Sequence, residues 1–195
     1  MYKLRFILIR IISLLFLPML TALQLVKDQL KDAHTTFENI VIDIKSAHLH
    51  RLPEGKALPL GSLVAHLVFS EDVIIHGMLL GKAPLYTTTW KGKTGASLPL
   101  PAMDEKWKAA HEEWSRTVKV KLPELLKYTK AVFSATEKYV STLKDKDLEK
   151  EIDLGSWGKK SVVNLLTGFI IAHTNSLIGE ISAIKGVNGA KGYPF

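Results

Sequence analysis

Histidine is the residue of this chain best suited to binding a metal ion or exchanging a proton, because the chain has seven histidines and no cysteine. A neutral imidazole offers one lone pair and one N–H group. The lack of cysteine excludes disulfide bonds, thiolate nucleophiles and cysteine-ligated zinc. Two histidines, His66 and His173, lie within apolar runs. Because a buried imidazole must satisfy two ring nitrogens, each is either a core histidine bonded to a polar neighbour or part of a site.

The spacing of apolar residues predicts the helices that must carry these two histidines. Apolar positions recur every three or four residues, as in amphipathic helices that pack one face on a core. Helical segments are predicted over residues 20–44, 60–80, 104–143 (with a break or bend near Pro123) and 160–185. No window is typical of a strand. The pattern predicts one all-α domain, a four-helix bundle over residues 19–195.

A bundle favours a joint role for the two histidines. His66 falls on the second predicted helix and His173 on the last, and facing helices of bundles build metal sites in their cores. The segment 82–103, rich in proline and glycine, is predicted to be a long loop, and such loops are often functional. Its Trp90 is the tryptophan predicted to line a pocket. Residues 145–158 are predicted to be polar and irregular.

The first eighteen residues have a different character. Basic residues flank and interrupt an apolar stretch, which is typical of a secretory signal or membrane anchor. However, Arg10 lies within the stretch, and the uninterrupted part is too short to span a bilayer. Two alternatives remain open beside a signal or anchor: translation that starts at Met19, and a folded helical extension over residues 1–18.

Charge and composition exclude some classes of function. The chain is 47% hydrophobic with a net charge of +7, which excludes a disordered chain. Its lysines and arginines are scattered in short runs, without the basic stripe that nucleic-acid binding requires. We therefore expect no nucleic-acid partner.

Two sequence segments resemble known proteins. His66–Asp72, followed by Leu80–Leu85, is similar to the second helix of DinB/YfiT-like proteins. His173–Ile181, followed by Lys185–Phe195, is similar to their last helix and tail, and is the more specific match. The resemblance covers residues 19–195 and implies a four-helix bundle.

The resemblance also implies a metal site. In that family, three histidines hold a divalent metal such as zinc or nickel, one from the second helix and two from a His-x-x-x-His pair on the last helix. His66 and His173 match two of these positions, but the third is occupied by Leu177. Residues four apart are about 40° apart around a helix, so position 177 would share the face of His173. Leucine has no lone pair to donate, and the resemblance therefore implies a degenerate site with weak metal binding.

Other side chains near these motifs are poorer ligands. Glu180 occupies the family's Gly-Glu position, where the acid is not normally a metal ligand. It would instead orient a ligating imidazole through a hydrogen bond. Ser70, one turn after His66, is a weak ligand that is expected to line the pocket. Glu71 and Asp72 are predicted to point away from the face of His66. The remaining candidates, His48, His50 and His111, are predicted to be solvated.

Three functions follow from the resemblance. The first expectation is a small-molecule binder that keeps the fold and pocket with little or no metal-dependent catalysis. The alternative is an enzyme, either a metal-dependent hydrolase or a transferase or isomerase that uses a thiol cofactor. The third is a membrane-tethered accessory protein, if residues 1–18 are retained; otherwise we expect a cytoplasmic protein. The oligomeric state is left open, and a homodimer is one alternative.

Overall fold

A computed structural model of the protein describes residues 20–53 and 55–193. Apart from short 3-10 turns, this part contains six helices: α1 Ala22–Val41, α2 Ser46–Leu49, α3 Leu60–Leu79, α4 Trp107–Thr117, α5 Leu122–Thr142 and α6 Val162–Val187. The predicted all-α class is confirmed. The predictions for residues 1–18 and for Met19 as a start site concern residues outside the described part.

The four long helices pack as a bundle. Helix α1 lies against α5 and α6, and α3 lies against α4, α5 and α6. Their apolar faces form two buried clusters, one including Phe37, Leu63, Tyr128 and Ile181, the other including Leu30, Ile74, Leu166 and Ile170. Since a fully buried side chain of this kind stabilises a fold by about 1.5–3 kcal/mol, these faces determine how the helices pack.

Local signals explain where the helices begin and end. The Thr21 hydroxyl accepts the amide of Gln24 at 3.1 Å and caps α1. After α3, Gly81 adopts a φ of +60°, a conformation that favours glycine. The predicted break near Pro123 is present, because α4 ends at Thr117 and proline lies in the first turn of α5, where its missing N–H is not needed.

The expectation of no strand is wrong for one short stretch. Glu151–Asp153 (β1) and Lys159–Ser161 (β2) pair as antiparallel strands, with Ile152 opposite Lys160. Each has only three residues, too few for an alternating apolar pattern to be recognised, which is why the sequence did not reveal them. Between them, Gly158 at φ +71° allows the chain to reverse into β2, after which α6 begins.

Two of the described helices could cross a membrane by length and composition alone. These are α3 and α6, whose most apolar windows are 67% and 44% buried within the protein. Core helices of soluble proteins give the same signal, so it is weak evidence for a membrane location.

The long loop after α3 is attached to the bundle by one buried carboxylate. Asp72 is fully buried and accepts the amides of Leu85 and Tyr86 at 3.0 and 3.1 Å. It also accepts the Tyr128 hydroxyl of α5 at 2.5 Å and contacts the His76 ring at 2.6 Å. The negative charge of Asp72 and burial together raise the pKa of Tyr128, with burial the larger cause, so the phenol stays a donor.

We expect Asp72→Asn to destabilise the protein by about 2–4 kcal/mol, because an amide accepts fewer hydrogen bonds and leaves buried partners unpaired. Urea unfolding measures the change, and hydrogen exchange should show faster exchange in residues 82–103. Asp104→Asn is the matched control, since the exposed side chain of Asp104 accepts the nearby amide of Lys106 and asparagine can do the same. Equal stability of the two variants would contradict this role of Asp72.

Candidate functional site

Each of the two helices that carry His66 and His173 contains a π-helical segment. Helix α3 changes from α-helical to π-helical over Val73–Leu79, seven residues after His66. Helix α6 is π-helical over Leu165–Ala172, and its regular α-helical part begins at His173. Such wide turns are rare and frequently occur at functional sites.

His66 and His173 lie side by side. Their ring centroids are 5.1 Å apart and the rings are nearly perpendicular, at 87°. The packing of α3 against α6 brings them together across 107 residues of sequence. The pair is therefore the centre of a shared polar site between two apolar helices.

A third histidine joins the pair, and the sequence prediction for it was wrong. His111 of α4 was predicted to lie on a solvated helix face, but its Nε2 lies 3.0 Å from Nδ1 of His66. It is partly buried, and its ring also contacts Trp107 and Trp114, with centroids 4.8 and 5.7 Å away. The spacing of Trp107, His111 and Trp114 places all three on one helix face, a signal that could have identified it.

Burial keeps these imidazoles neutral. The pKa of His66 is lowered to about 3, first by burial and then by the neighbouring His173 and His111. Burial also lowers the pKa values of His111 and His173, although the nearby charge of Glu71 offsets part of the effect at His173. At neutral pH the histidine cluster (His66, His111 and His173) thus offers lone pairs and N–H groups without a positive charge.

A cavity of about 390 Å³ opens beside the cluster. His66 and His173 form part of its wall, and most of the remainder is apolar: Ile74, Met78, Met103, Trp107, Trp157 and Phe169. Small-molecule sites have this character, an apolar cavity of about 300–1,000 Å³ with a few polar groups. The arrangement can therefore hold an apolar molecule and form hydrogen bonds at one end.

The other predicted site residues have different surroundings. Ser70 lines the cavity. Trp90 is not among the residues lining it, since its ring packs on Tyr128 at 5.6 Å. Leu177 is 7% exposed and belongs to the larger apolar cluster, whereas Glu180 is exposed.

Glu71 and Asp72, expected to point away from His66, make their hydrogen bonds elsewhere. Glu71 accepts the Thr136 hydroxyl at 2.6 Å and lies 3.1 Å from Nε2 of His34. Of the histidines predicted to be solvated, His50 instead accepts the amide of Val120 at 2.8 Å through Nε2.

Comparison with known proteins gives this architecture a family. The family model of the DinB superfamily matches residues 29–177. The chain belongs to the DinB superfamily. A similar fold occurs in the crystal structure of a conserved protein from Enterococcus faecalis, with 22% identity and a TM-score of 0.66 over 85% of this chain and 98% of that one. No curated protein matches the sequence.

The observed arrangement differs from the three-histidine set that the resemblance implies. His66 and His111 form a hydrogen bond with each other, so that one of these two nitrogens carries a proton and has no lone pair. Position 177 presents a leucine. Among residues 20–53 and 55–193, no three His, Cys, Asp or Glu side chains are grouped so that they could hold a metal ion.

We expect acid to destabilise this protein through His66. Unfolded histidine takes up a proton near pH 6.5, but the folded His66 does so only near pH 3. Its contribution to stability is therefore lost as the pH falls between these values, by at most about 1.4 kcal/mol per pH unit. In His66→Gln, the free energy of unfolding measured from pH 7 to pH 4.5 should fall less steeply.

His48→Gln is the control for this measurement, because His48 lies outside the histidine cluster and does not line the cavity. It should retain the slope of the wild type. An unchanged slope in His66→Gln would contradict a neutral, buried His66.

Proposed function

We propose that this DinB-superfamily protein binds a small molecule in the cavity beside His66 and His173, with little or no metal-dependent catalysis. The observation that carries the proposal is the cavity itself, about 390 Å³ of largely apolar wall that meets two imidazoles. Its volume lies within the range of small-molecule sites. Partly exposed aromatic and thioether side chains at its wall, Trp157 and Met103, give a ligand apolar surface to cover.

The proposal includes a degenerate metal site. Leu177 supplies no ligand atom where the resemblance implies a histidine, and the hydrogen bond between His66 and His111 competes with metal coordination. Sites that hold zinc firmly present three or four protein groups, so we expect weak binding of zinc or nickel. We also propose a cytoplasmic location and no nucleic-acid partner, with attachment or export through residues 1–18 as the alternative location.

Filling the cavity should weaken ligand binding strongly. Gly168 lines the cavity and has open space where a Cβ would lie, so Gly168→Leu places a side chain there without a backbone clash. We expect at least one member of a set of neutral, anionic and cationic bicyclic aromatic fragments to bind the wild type by saturation-transfer NMR. Its affinity should fall at least tenfold in Gly168→Leu.

Gly179→Leu is the matched control for this experiment. Gly179 lies on the same helix, also with open space at its Cβ position, but it does not line the cavity. This variant should bind as the wild type does. The proposed function is wrong if no fragment binds, or if both variants bind as well as the wild type.

A second candidate is the metal-dependent hydrolase or thiol-cofactor transferase or isomerase that the resemblance implies. The specific observation in its favour is His111, which adds a third imidazole next to His66 from a different helix. This candidate requires the hydrogen bond between the two rings to open. We therefore rank it below metal-independent binding.

Titration calorimetry with zinc and nickel separates the two candidates. We expect weak binding by the wild type and binding at least about a hundredfold tighter by Leu177→His, because one well-placed ligand is commonly worth a few kcal/mol. His111→Ala should weaken the wild type further if His111 contributes to binding. Circular dichroism checks that Leu177→His folds, since position 177 is buried.

Tight metal binding by the wild type that is lost in His111→Ala would overturn the degenerate site and favour the enzyme. Equally weak binding by the wild type and a folded Leu177→His would contradict the placement of residue 177 at the site.

A further inference from the structure

Among residues 20–53 and 55–193, no charged side chain lines the cavity. The chain contains 26 lysines and arginines and 19 aspartates and glutamates, yet the eleven described residues of the cavity wall include none of them. The polar members are two histidines, Ser70 and Asn164, all of which are uncharged when the imidazoles are neutral. An anionic or cationic ligand would lose its hydration there without gaining an opposite charge, which is costly.

His66 and His173 differ in how many ring nitrogens are free to form a hydrogen bond with a ligand. His66 already uses Nδ1 in its contact with His111, whereas His173 makes no side-chain hydrogen bond within residues 20–53 and 55–193. A neutral imidazole offers one N–H donor and one acceptor, and His173 lies at the cavity wall. A hydroxyl group can both donate and accept, and it therefore suits either tautomer of this imidazole.

The apolar part of the wall is suited to a flat molecule. Trp107, Trp157 and Phe169 contribute three aromatic rings, and the last two have centroids 6.1 Å apart. Aromatic rings pack favourably against one another in stacked or edge-to-face arrangements. Met78 and Met103 add flexible thioethers, which adapt to the outline of a ring and contact it favourably.

We propose that the cavity takes an uncharged, planar aromatic molecule that carries a hydroxyl group, with the hydroxyl bonded to His173 and the rings against the aromatic wall. The proposal rests on the proposed function, because it names the class of ligand for the same cavity. It goes beyond that function in predicting that the ligand is neutral and requires a hydrogen bond.

Three probes with one ring system test this proposal: 2-naphthol, naphthalene and 2-naphthoate, titrated at pH 7 by ligand-observed NMR. The wild type should bind 2-naphthol most tightly. Naphthalene lacks the hydrogen bond and should bind roughly fivefold to tenfold more weakly. The anionic 2-naphthoate should bind at least tenfold more weakly than 2-naphthol, because its charge finds no partner.

Variants identify the residue that recognises the hydroxyl. His173→Phe keeps an aromatic ring but removes both polar atoms, so 2-naphthol should lose its advantage over naphthalene. His48→Phe, outside the cavity, should keep that advantage. The three wild-type affinities alone decide the preference for a neutral hydroxyl if His173→Phe fails to fold.

The outcomes separate this inference from the proposed function. Tightest binding of 2-naphthoate, or equal binding of 2-naphthol and naphthalene, overturns the inference; the proposed function stands if Gly168→Leu blocks that binding. An unchanged preference for 2-naphthol in a folded His173→Phe overturns the assignment to His173. If none of these probes binds, the inference is wrong, and the proposed function is judged separately by the charged and uncharged members of the wider fragment set.

Discussion

The buried carboxylate of Asp72 is the interaction on which the rest of the site depends. It lies at the point where α3 changes from α-helical to π-helical, and it bonds both the loop after α3 and the Tyr128 hydroxyl of α5. Because a fully buried carboxylate is tolerated only when its oxygens are paired, the three elements are held in one arrangement. The same helix carries His66, and the same loop leads to Met103 at the cavity.

The neighbouring Glu71 faces a different partner and gives α3 a second polar anchor. Burial alone would lower the pKa of His34, but the Glu71 carboxylate, together with Glu137, outweighs it and raises that pKa. The contact between His34 and Glu71 ties α1 to α3, and the Thr136 hydroxyl of α5 donates to the same carboxylate. The charge of Glu71 also partly offsets the effect of burial on His173, so the anchor that stabilises the bundle influences the site electrostatically.

The sequence predicted the helices well because their apolar faces repeat with a helical period. It also drew attention to His66 and His173, since a histidine within an apolar run is unusual. It failed at His111, whose neighbours Glu112 and Glu113 suggested a solvated face. Whether His111 faces α3 depends on how α4 packs against α3. The charges of neighbouring residues in the sequence do not predict this packing. The two short strands were also not predicted, because their pairing depends on the turn between them and not on an apolar pattern.

The positions of Leu177 and His111 suggest how the site differs from the family's arrangement. Two histidines four residues apart on one helix are held in register by the helix itself. Here the partner of His66 comes from α4, a separate helix whose position depends on packing of Trp107 and Trp114 around the histidine cluster. A histidine on a separate helix can form a hydrogen bond with another imidazole, as His111 does with His66. In contrast, two histidines fixed on one helix would direct both lone pairs at one ion. Under the proposed function, this arrangement uses hydrogen bonding in place of coordination, and His173 is the ring that is available to a ligand.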